Sequence, residues 1–275
     1  LKSKLVFQKN EQTLNGTTSK DGVQFEIWAG EPNAEGSEKK ATVETANGGV
    51  GAPDPLPIRV ESGAIDYYIV EVADQAATEG YTVKYPDGRD YYGPINLSFA
   101  ATTDVKAKPI VNQKDETQLT VQKTDTAGKA LAGATFTVQD KEGRYAAIVD
   151  GKVTWSDTKT ELTTGENDQI VLSAIPNGTY TVTETGVPDG YLSTGTVSGA
   201  DEGIATTEGA PSGKVTLGTL EKKTITFANE KKPALTFTKK VEGNVSGEFT
   251  FELYKANADG TAPEGSSLGS QTVTN

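Results

Sequence analysis

The sequence predicts an all-β protein that is built from tandem β-sandwich domains. Its 30 glycines and 12 prolines divide the chain into short segments. Within these segments Thr, Val and Tyr alternate with the period of two that is typical of half-buried strands. No segment has the long 3.6-residue apolar period of an amphipathic helix. The third observation is an internal repeat, which gives the domain organisation.

Each repeat begins with a strand pattern in which two apolar residues at alternate positions precede a lysine. Lys123 follows Lys9 by 114 residues, and Lys239 follows Lys123 by 116 residues. Alternate side chains of a strand point to the same face, so each lysine is expected to share the apolar, inward face. The three segments are residues 4–11 (KLVFQKNE), 118–125 (QLTVQKTD) and 234–241 (ALTFTKKV).

Two further strands of each complete repeat end in a polar residue on the same apolar face. Glu71 and Glu184 follow their lysines by 62 and 61 residues, and Asn112 and Asn229 follow the glutamates by 41 and 45 residues. Chance rarely keeps three residue types at matching intervals twice. The strands are residues 67–71 (YYIVE), 180–184 (YTVTE), 109–112 (PIVN) and 225–229 (ITFAN).

The repeat divides the chain into three domains. We expect one sandwich over residues 1–115 and a second over 116–232. Residues 233–275 are expected to be the N-terminal part of a third, incomplete domain, because about 40 residues are too few for a sandwich. The joints between repeats are polar and too short to be flexible tethers. The chain begins without methionine and without a signal peptide, so we expect it to be a piece of a longer precursor.

A lysine, a glutamate and an asparagine that meet inside an apolar core can form a covalent bond. Burial favours the neutral amine, which is a nucleophile, and it favours the protonated carboxyl, which can donate to the asparagine amide and make its carbon electrophilic. The amine attacks, the carboxyl transfers protons and ammonia leaves. The pattern therefore predicts one Lys–Asn isopeptide bond in each complete repeat, with the glutamate as the acid–base group. The predicted sites are Lys9, Glu71 and Asn112 in the first repeat and Lys123, Glu184 and Asn229 in the second.

Each of these residues also has an ordinary structural explanation. A glutamate at a strand end can reach water, a lysine can extend along the surface to solvent, and an asparagine often opens a turn. Three separate explanations are then needed in each repeat, whereas one chemical cause accounts for all of them. Lys239 is the candidate lysine of the third segment, and the sequence does not identify its partner.

The second repeat resembles the CnaB domains of Gram-positive cell-wall-anchored surface proteins and sortase-assembled pilins. The resemblance covers roughly residues 117–232 and implies a β-sandwich of inverse immunoglobulin-like topology that forms an intramolecular isopeptide bond. It places Lys123, Glu184 and Asn229 in the family's lysine, glutamate and asparagine positions. The motifs are residues 119–125 (LTVQKTD), 128–136 (GKALAGATF), 180–191 (YTVTETGVPDGY) and 225–231 (ITFANEK).

The other two repeats resemble this family less closely. The first keeps Lys9, Glu71 and Asn112, but residues 72–81 (VADQAATEGY) replace the usual turn that contains proline. The third, at residues 247–254 (GEFTFELY), resembles the start of a pilin isopeptide-linkage domain.

The predicted function is structural. A cross-link between the first and last strands joins the points where tension enters and leaves a domain, so tandem domains with short joints are expected to form a stiff stalk or shaft. The resemblance implies an extracellular, cell-wall-anchored location, with a sortase and other domains or subunits of the same surface protein or pilus as partners. The expected chemistry is single-turnover bond formation, so the chain is not expected to be an enzyme and no cofactor is expected. Pilus shaft and adhesin stalk stay open as alternatives, since neither a lysine-bearing pilin motif nor an LPxTG-like sorting signal is evident.

The main alternative is an adhesin module that binds a host glycan or a matrix protein. Surface aromatic residues could make such contacts, and the insertions at 30–57 and 196–213 are where we would look for them. A second alternative, an accessory region of a secreted hydrolase, is less favoured, because no carboxylate pair has a spacing typical of a glycosidase. The aromatic candidates are Trp28, Trp155, Tyr91 and Tyr92.

Composition excludes several classes of protein. The chain has no histidine and no cysteine, which rules out Ser-His-Asp triads, thiolate chemistry, disulfides and zinc sites built on these residues. A net charge of −12 argues against nucleic acid and anionic membranes as partners. No apolar run is long enough to span a membrane. The loop at residues 257–260 (NADG) is better explained as a turn than as a calcium site, so no metal site is expected.

Overall fold

The protein folds mainly as β-strands in the part of the chain that its computed structural model describes. That part comprises residues 1–58, 65–72, 76, 79–97, 102–165, 167–204, 211–243 and 246–274. The elements are all strands, and they form stacked sheets, so the prediction of an all-β protein with β-sandwich domains is confirmed. Residues Leu1–Lys231 pack as one compact unit and Lys232–Asn275 as a second.

Residues 1–115 contribute the first strands of the larger unit. Leu5 and Phe7 are buried at alternate positions of the first strand, and the same period of two places Phe25 and Ile27 of the third strand in the core. The strands are β1 (Lys2–Thr13), β2 (Gly16–Ser19), β3 (Gln24–Ala29), β4 (Glu38–Glu44), β5 (Val50–Gly51), β6 (Leu56–Pro57), β7 (Asp66–Glu71), β8 (Tyr81–Lys84), β9 (Tyr92–Asn96), β10 (Thr102–Asp104) and β11 (Ile110–Lys114).

These strands form two sheets that face each other. One sheet has the order β10-β1-β11-β8, with β2, β5 and β6 also paired to β1, and the other has the order β4-β3-β7-β9. The rings of Phe7 and Phe25 meet edge to face between the sheets, with centroids 5.0 Å apart. The first and last strands, β1 and β11, are parallel neighbours.

Residues 116–231 contribute the second set of strands. Leu119 and Val121 alternate into a core of their own, together with Phe136 and Phe227, whose rings also meet edge to face at 5.0 Å. The strands are β12 (Thr117–Asp125), β13 (Thr135–Gln139), β14 (Tyr145–Val149), β15 (Lys152–Ser156), β16 (Leu162–Thr163), β17 (Gln169–Ile175), β18 (Gly178–Gly186), β19 (Tyr191–Ser198), β20 (Glu202–Ile204), β21 (Ser212–Leu217) and β22 (Lys222–Lys231).

The second set repeats the arrangement of the first. One sheet has the order β17-β12-β22-β19, and the other has the order β15-β14-β13-β18-β21-β20, with β16 paired to β13. Again the first and last strands, β12 and β22, are parallel neighbours. The predicted boundary at residues 115–116 falls between β11 and β12, and each side has a separate apolar core. These observations support two sandwich domains within the larger unit, and the three-domain division stays a prediction.

Among its described residues, the smaller unit forms one antiparallel hairpin, from β23 (Glu248–Ala256) and β24 (Pro263–Thr274). Here the structure differs from the expectation of an inward-facing strand at residues 234–241. Leu235, Phe237 and Lys239 lie outside the strands and are exposed. Phe237 contacts Phe251 of the hairpin, with ring centroids 4.7 Å apart, but a two-stranded hairpin buries too little surface to cover an apolar face fully, which explains the exposure.

Candidate functional site

Three strands position each lysine, glutamate and asparagine triad. The lysine lies on the first strand of its sandwich, the asparagine on the last strand, and the glutamate on a strand of the facing sheet. The triads are Lys9 (β1), Glu71 (β7) and Asn112 (β11), and Lys123 (β12), Glu184 (β18) and Asn229 (β22).

The parallel pairing of the first and last strands brings lysine and asparagine together. Asn112 is opposite Glu11 of β1, and Asn229 is opposite Asp125 of β12. In both sandwiches this opposing residue lies two positions after the lysine. Lysine and asparagine therefore share a face of the sheet and lie diagonally across from each other.

In both sandwiches the facing sheet contributes the glutamate, and the glutamate occupies the same register position. Glu71 is opposite Phe25 of β3, and Glu184 is opposite Phe136 of β13. These phenylalanines belong to the apolar cores, so each carboxylate enters a region that is otherwise hydrophobic. The two sandwiches thus build their triads on the same backbone frame.

The first triad forms a closed ring of hydrogen bonds. Lys9 Nζ lies 2.5 Å from Asn112 Oδ1 and 2.7 Å from Glu71 Oε2. Asn112 Nδ2 donates to Glu71 Oε1 at 2.7 Å. The lysine is 0% exposed and the glutamate 3% exposed. The amine therefore touches both groups that the predicted reaction needs.

The second triad is equally buried but less closely connected. Lys123 Nζ donates to the backbone oxygens of Thr124 at 2.6 Å and Phe227 at 3.2 Å, and it lies 3.9 Å from Glu184 Oε1. Asn229 Nδ2 donates to Glu184 Oε2 at 3.1 Å. Within the described part of the chain, Glu184 Oε1 and Asn229 Oδ1 are the buried side-chain atoms that have no hydrogen-bond partner. Two polar oxygens inside the core thus have no hydrogen-bond partner, which lowers the stability of the folded state.

Burial shifts the pKa values of both lysines and of Glu184 in the direction that favours their neutral forms. It lowers the pKa of Lys9 to about 8, although the neighbouring Glu71 carboxylate opposes the shift. Burial likewise lowers the pKa of Lys123 and raises the pKa of Glu184. A neutral amine and a protonated carboxyl are the forms that nucleophilic attack on an amide requires.

Tyr85 is a site residue that the sequence analysis missed. Its hydroxyl oxygen accepts a hydrogen bond from the backbone N–H of Glu71 at 2.8 Å, and burial raises the pKa of this tyrosine to about 12. The alternation of Tyr81, Val83 and Tyr85 is the signal that could have placed it on an inward face. In the second sandwich the corresponding N–H, that of Glu184, donates to a backbone oxygen instead.

Lys239, the candidate lysine of the third segment, is not part of a triad among the described residues. It is exposed, and its Nζ lies 5.0 Å from the centroid of the Phe249 ring. The described residues of the smaller unit include no buried glutamate or asparagine. Its role therefore stays a prediction.

The aromatic residues considered as ligand contacts are mostly engaged within the protein. Tyr92 is buried, and the Trp155 ring stacks on Tyr180 with centroids 5.4 Å apart. Trp28 donates from Nε1 to a neighbouring carboxylate, and the half-buried Tyr91 donates to another. Of the two insertions, 30–57 is described throughout, whereas residues 205–210 of the second lie outside the described residues.

The loop considered as a calcium site is closed by its own hydrogen bonds. Asn257 Oδ1 accepts from the backbone N–H groups of Thr261 at 2.9 Å and Ala262 at 3.1 Å. Across the described residues, no cluster of three or more acidic groups is arranged to hold a metal ion. Those residues also include no helix with the length and apolar character to cross a membrane.

The second sandwich matches the model of a known protein family. Residues 117–210 match the family model described as the SpaA prealbumin-like fold domain. The second sandwich is a pilin-type, CnaB-like domain. The match includes Lys123 and Glu184 of the triad, and the predicted family resemblance is confirmed for this CnaB-like domain. No curated protein matches the chain.

Several solved structures of bacterial proteins are similar to the chain at low sequence identity. The shaft pilin SpaA of Lactobacillus rhamnosus GG is 18% identical with a TM-score of 0.35, and the match covers 86% of this chain and 100% of that one. The minor pilin of Streptococcus agalactiae is 17% identical with a TM-score of 0.34 and the same coverage. The TIE protein of Bacillus anthracis is 18% identical with a TM-score of 0.33, covering 98% of this chain and 41% of that one. These likenesses are weak, so the assignment of the CnaB-like domain rests on the family match.

Proposed function

We propose that the chain is a structural segment of a stalk or pilus shaft on a Gram-positive bacterium, stiffened by intramolecular Lys–Asn isopeptide bonds. The observation that carries the proposal is the pair of buried triads on matching strands in matching register. Buried lysine and glutamate side chains contribute little to stability compared with apolar residues of similar volume. A covalent reaction would explain why a lysine and a glutamate are buried at these positions.

The reaction at the first triad begins from the observed contacts. Lys9 Nζ attacks Asn112 Cγ, the new Nζ–Cγ bond forms, and the Cγ–Nδ2 bond breaks. Glu71 accepts a proton from the attacking nitrogen and gives one to the departing Nδ2, so ammonia leaves and the carboxyl ends as it began. The fold supplies proximity, and the apolar surroundings supply the neutral amine.

The second triad needs one side-chain movement before the same reaction. Lys123 Nζ must leave the backbone oxygens of Thr124 and Phe227 and turn toward Asn229. Glu184 Oε1 and Asn229 Oδ1 have no hydrogen-bond partner before this movement. A protonated Glu184 carboxyl can donate from Oε1 to Asn229 Oδ1, and this hydrogen bond polarises the amide carbon for attack.

The bonds would change how the protein carries tension. Because the first and last strands are parallel neighbours, force that enters on one strand passes through the cross-link to the other. Lys9 and Asn112 are 103 positions apart, and Lys123 and Asn229 are 106 positions apart. A cross-link that closes a loop of this size lowers the conformational entropy of the unfolded chain. By analogy with disulfides, this raises the free energy of unfolding by about 4–5 kcal/mol. Anchoring by a sortase to the cell wall and assembly with further subunits belong to the same proposal.

Intact-mass measurement tests the proposal directly. Each bond releases one ammonia, so the purified chain should be lighter than its sequence mass by two ammonia molecules. Peptide mapping should then recover a Lys9–Asn112 and a Lys123–Asn229 cross-linked peptide. An unshifted mass contradicts both bonds, and if only one ammonia is lost, the peptide map identifies the sandwich that fails to react. Lys9→Ala and Lys123→Ala are the matched controls, since each removes one nucleophile.

The adhesin alternative has one observation in its favour. A cavity of about 290 Å³ lies beside Trp155 and Tyr180, with Arg144 and Asn177 among its polar lining residues. An aromatic ring next to fixed polar groups is a common arrangement for binding a sugar. A glycan array probed with the wild-type chain and with Trp155→Ala tests it, and binding that disappears in the variant would favour this function.

A further inference from the structure

A side-chain contact that recurs in both sandwiches is not explained by the triads themselves. In each case a glutamine immediately precedes the lysine of the triad, as Gln8 and Gln122. Neighbouring residues of a strand face opposite sides, so these glutamines lie outside the core, and both are half-buried. Each turns its side-chain amide back toward the backbone of the lysine that follows it.

In the first sandwich the glutamine joins β1 to the loop before β5. Gln8 Nε2 donates to Lys9 O at 3.1 Å and to Gly48 O at 2.8 Å. Lys9 N donates to Gly49 O at 2.7 Å, and Lys9 O also accepts from Lys20 N at 3.1 Å. A Cβ atom on Gly49 would lie 2.2 Å from Lys9 O and 2.7 Å from Gln8 Nε2, so the loop approaches as closely as glycine allows. Both backbone polar groups of Lys9 are therefore held.

The second sandwich makes a similar set of contacts, although the single backbone oxygen of Asp168 takes the place of the Gly48 and Gly49 oxygens. Gln122 Nε2 donates to Lys123 O at 3.3 Å and to Asp168 O at 3.3 Å. Lys123 N donates to Asp168 O at 2.9 Å, and Lys123 O accepts from Leu131 N at 3.1 Å. Gln169 Nε2 donates to Gln122 Oε1 at 2.5 Å, which fixes the orientation of the glutamine amide.

The loops that receive these contacts have different sequences. Residues 46–50 read ANGGV, and residues 165–169 read GENDQ. What the two share is a residue with positive φ, Gly49 at 77° and Asp168 at 56°, which turns a backbone oxygen toward the first strand. The anchoring of the lysine backbone thus recurs although the loop sequence does not.

We infer that Gln8 and Gln122 are positioning residues for isopeptide formation. Each fixes the backbone of its lysine, so that the long side chain searches a small volume around the asparagine amide carbon. A displacement of about 1 Å between reacting groups can slow a reaction about 100-fold. The inference rests on the proposed function. In the third segment Thr238 precedes Lys239, and its short side chain lacks an amide donor.

The test replaces each glutamine with methionine, which keeps the length and removes the donors. The full chain carrying Gln8→Met or Gln122→Met is made by cell-free translation, quenched in denaturant at intervals, and its cross-linked peptides are quantified by mass spectrometry. Each variant should form its own bond about tenfold more slowly and the other bond at the wild-type rate. The matched controls are Gln12→Met in β1 and Gln118→Met in β12, which should leave both rates unchanged.

A second measurement separates positioning from a general loss of stability. Urea unfolding of Glu71→Ala and of Glu71→Ala/Gln8→Met compares two unbonded chains, and both should be fully folded under the conditions of the rate measurement. Bond formation at the wild-type rate in Gln8→Met and Gln122→Met would overturn the inference. Equal slowing in the control variants, or slowing explained by unfolded chain, would also overturn it. A wild-type chain without either cross-link would overturn the proposed function as well, so the two failures are distinguishable.

Discussion

The two triads share a backbone frame but differ in the contacts of their lysines. Lys9 Nζ already contacts both the carboxylate and the amide, whereas Lys123 Nζ is occupied by the backbone oxygens of Thr124 and Phe227. The strand registers around the two sites are the same. Register therefore determines which residues meet, and the nearby polar groups determine which contacts each lysine amine makes.

The two sites also differ in their access to water. A cavity of about 10 Å³, room for about one water molecule, borders Glu71 and Asn112 and is lined also by Glu11, Lys20 and Tyr81. Asn112 is 7% exposed and Asn229 is 0% exposed. Water thus has a shorter route to the first triad than to the second.

Removal of the glutamates should have the largest effect. Glu184→Ala should abolish the Lys123–Asn229 bond and Glu71→Ala the Lys9–Asn112 bond, each slowed at least about 100-fold, because acid–base transfer is lost. Each variant should keep the other bond, since the triads sit in separate cores. Peptide mapping of both variants measures this. Recovery of the cross-linked peptide in Glu184→Ala would remove the catalytic role from that carboxyl.

Removal of a lysine should unlock one sandwich mechanically. Stretched from its ends, the wild-type chain should show no sandwich-sized unfolding step. Lys123→Ala should release about 100 residues at roughly 3.3–3.6 Å each, or about 350 Å. Lys9→Ala should release a step of similar length from the other sandwich. Single-molecule force spectroscopy is the measurement, and full unfolding of the wild type at modest force would contradict the cross-linked stalk.

The rate of bond formation at the first site should depend on pH. The lysine attacks as the neutral amine. Since the pKa of Lys9 is lowered to about 8, the neutral fraction of this amine rises about tenfold per pH unit well below pH 8 and levels off above it. The initial rate of the Lys9–Asn112 bond should therefore rise as the pH approaches 8 and then become level. Time courses from cell-free synthesis measure both bonds in the same samples. A rate that falls as the pH approaches 8 would contradict control by the Lys9 amine.

Loss of the Tyr85 hydroxyl should have the smallest effect. Tyr85→Phe leaves the buried N–H of Glu71 without its acceptor, which should destabilise the first sandwich by about 1–3 kcal/mol. The bond at that site should still form, because the tyrosine contacts backbone and not the reacting atoms. Urea unfolding in a Lys9→Ala background, with Tyr91→Phe as the control, measures the change. Loss of the Lys9–Asn112 bond in Tyr85→Phe would show a closer role in the reaction.

Much of the site could be predicted from the alternation of residues along single strands. A period of two placed Lys9, Glu71 and Asn112 on inward faces, and the repeat spacing suggested that they meet; the structure brings them together. The all-β class followed in the same way, since turn residues and alternation are local signals.

What could not be predicted depends on neighbours that lie far away in sequence. The turn of Lys123 toward Phe227 depends on a backbone oxygen 104 residues away. The contact of Tyr85 with Glu71 depends on how β8 ends beside the facing sheet. Residues 234–241 show the opposite case, because their alternation is that of a strand, yet Leu235 is 70% exposed and Phe237 is 45% exposed. A local pattern states which face would be buried, and only the fold supplies the surface that buries it.

Parallel pairing of β1 and β11 has a further consequence for the integrity of the chain. With Lys9 joined to Asn112, the covalent path from residue 1 to residue 275 can pass directly between these two residues and bypass positions 10–111. A protease that cuts an exposed turn in the bypassed part, such as residues 31–37, would leave both ends of the protein connected. Lys123 and Asn229 would protect the second sandwich in the same way. A stalk with such cross-links would stay covalently continuous after proteolytic cleavage in its loops, whereas an ordinary polypeptide would be cut in two.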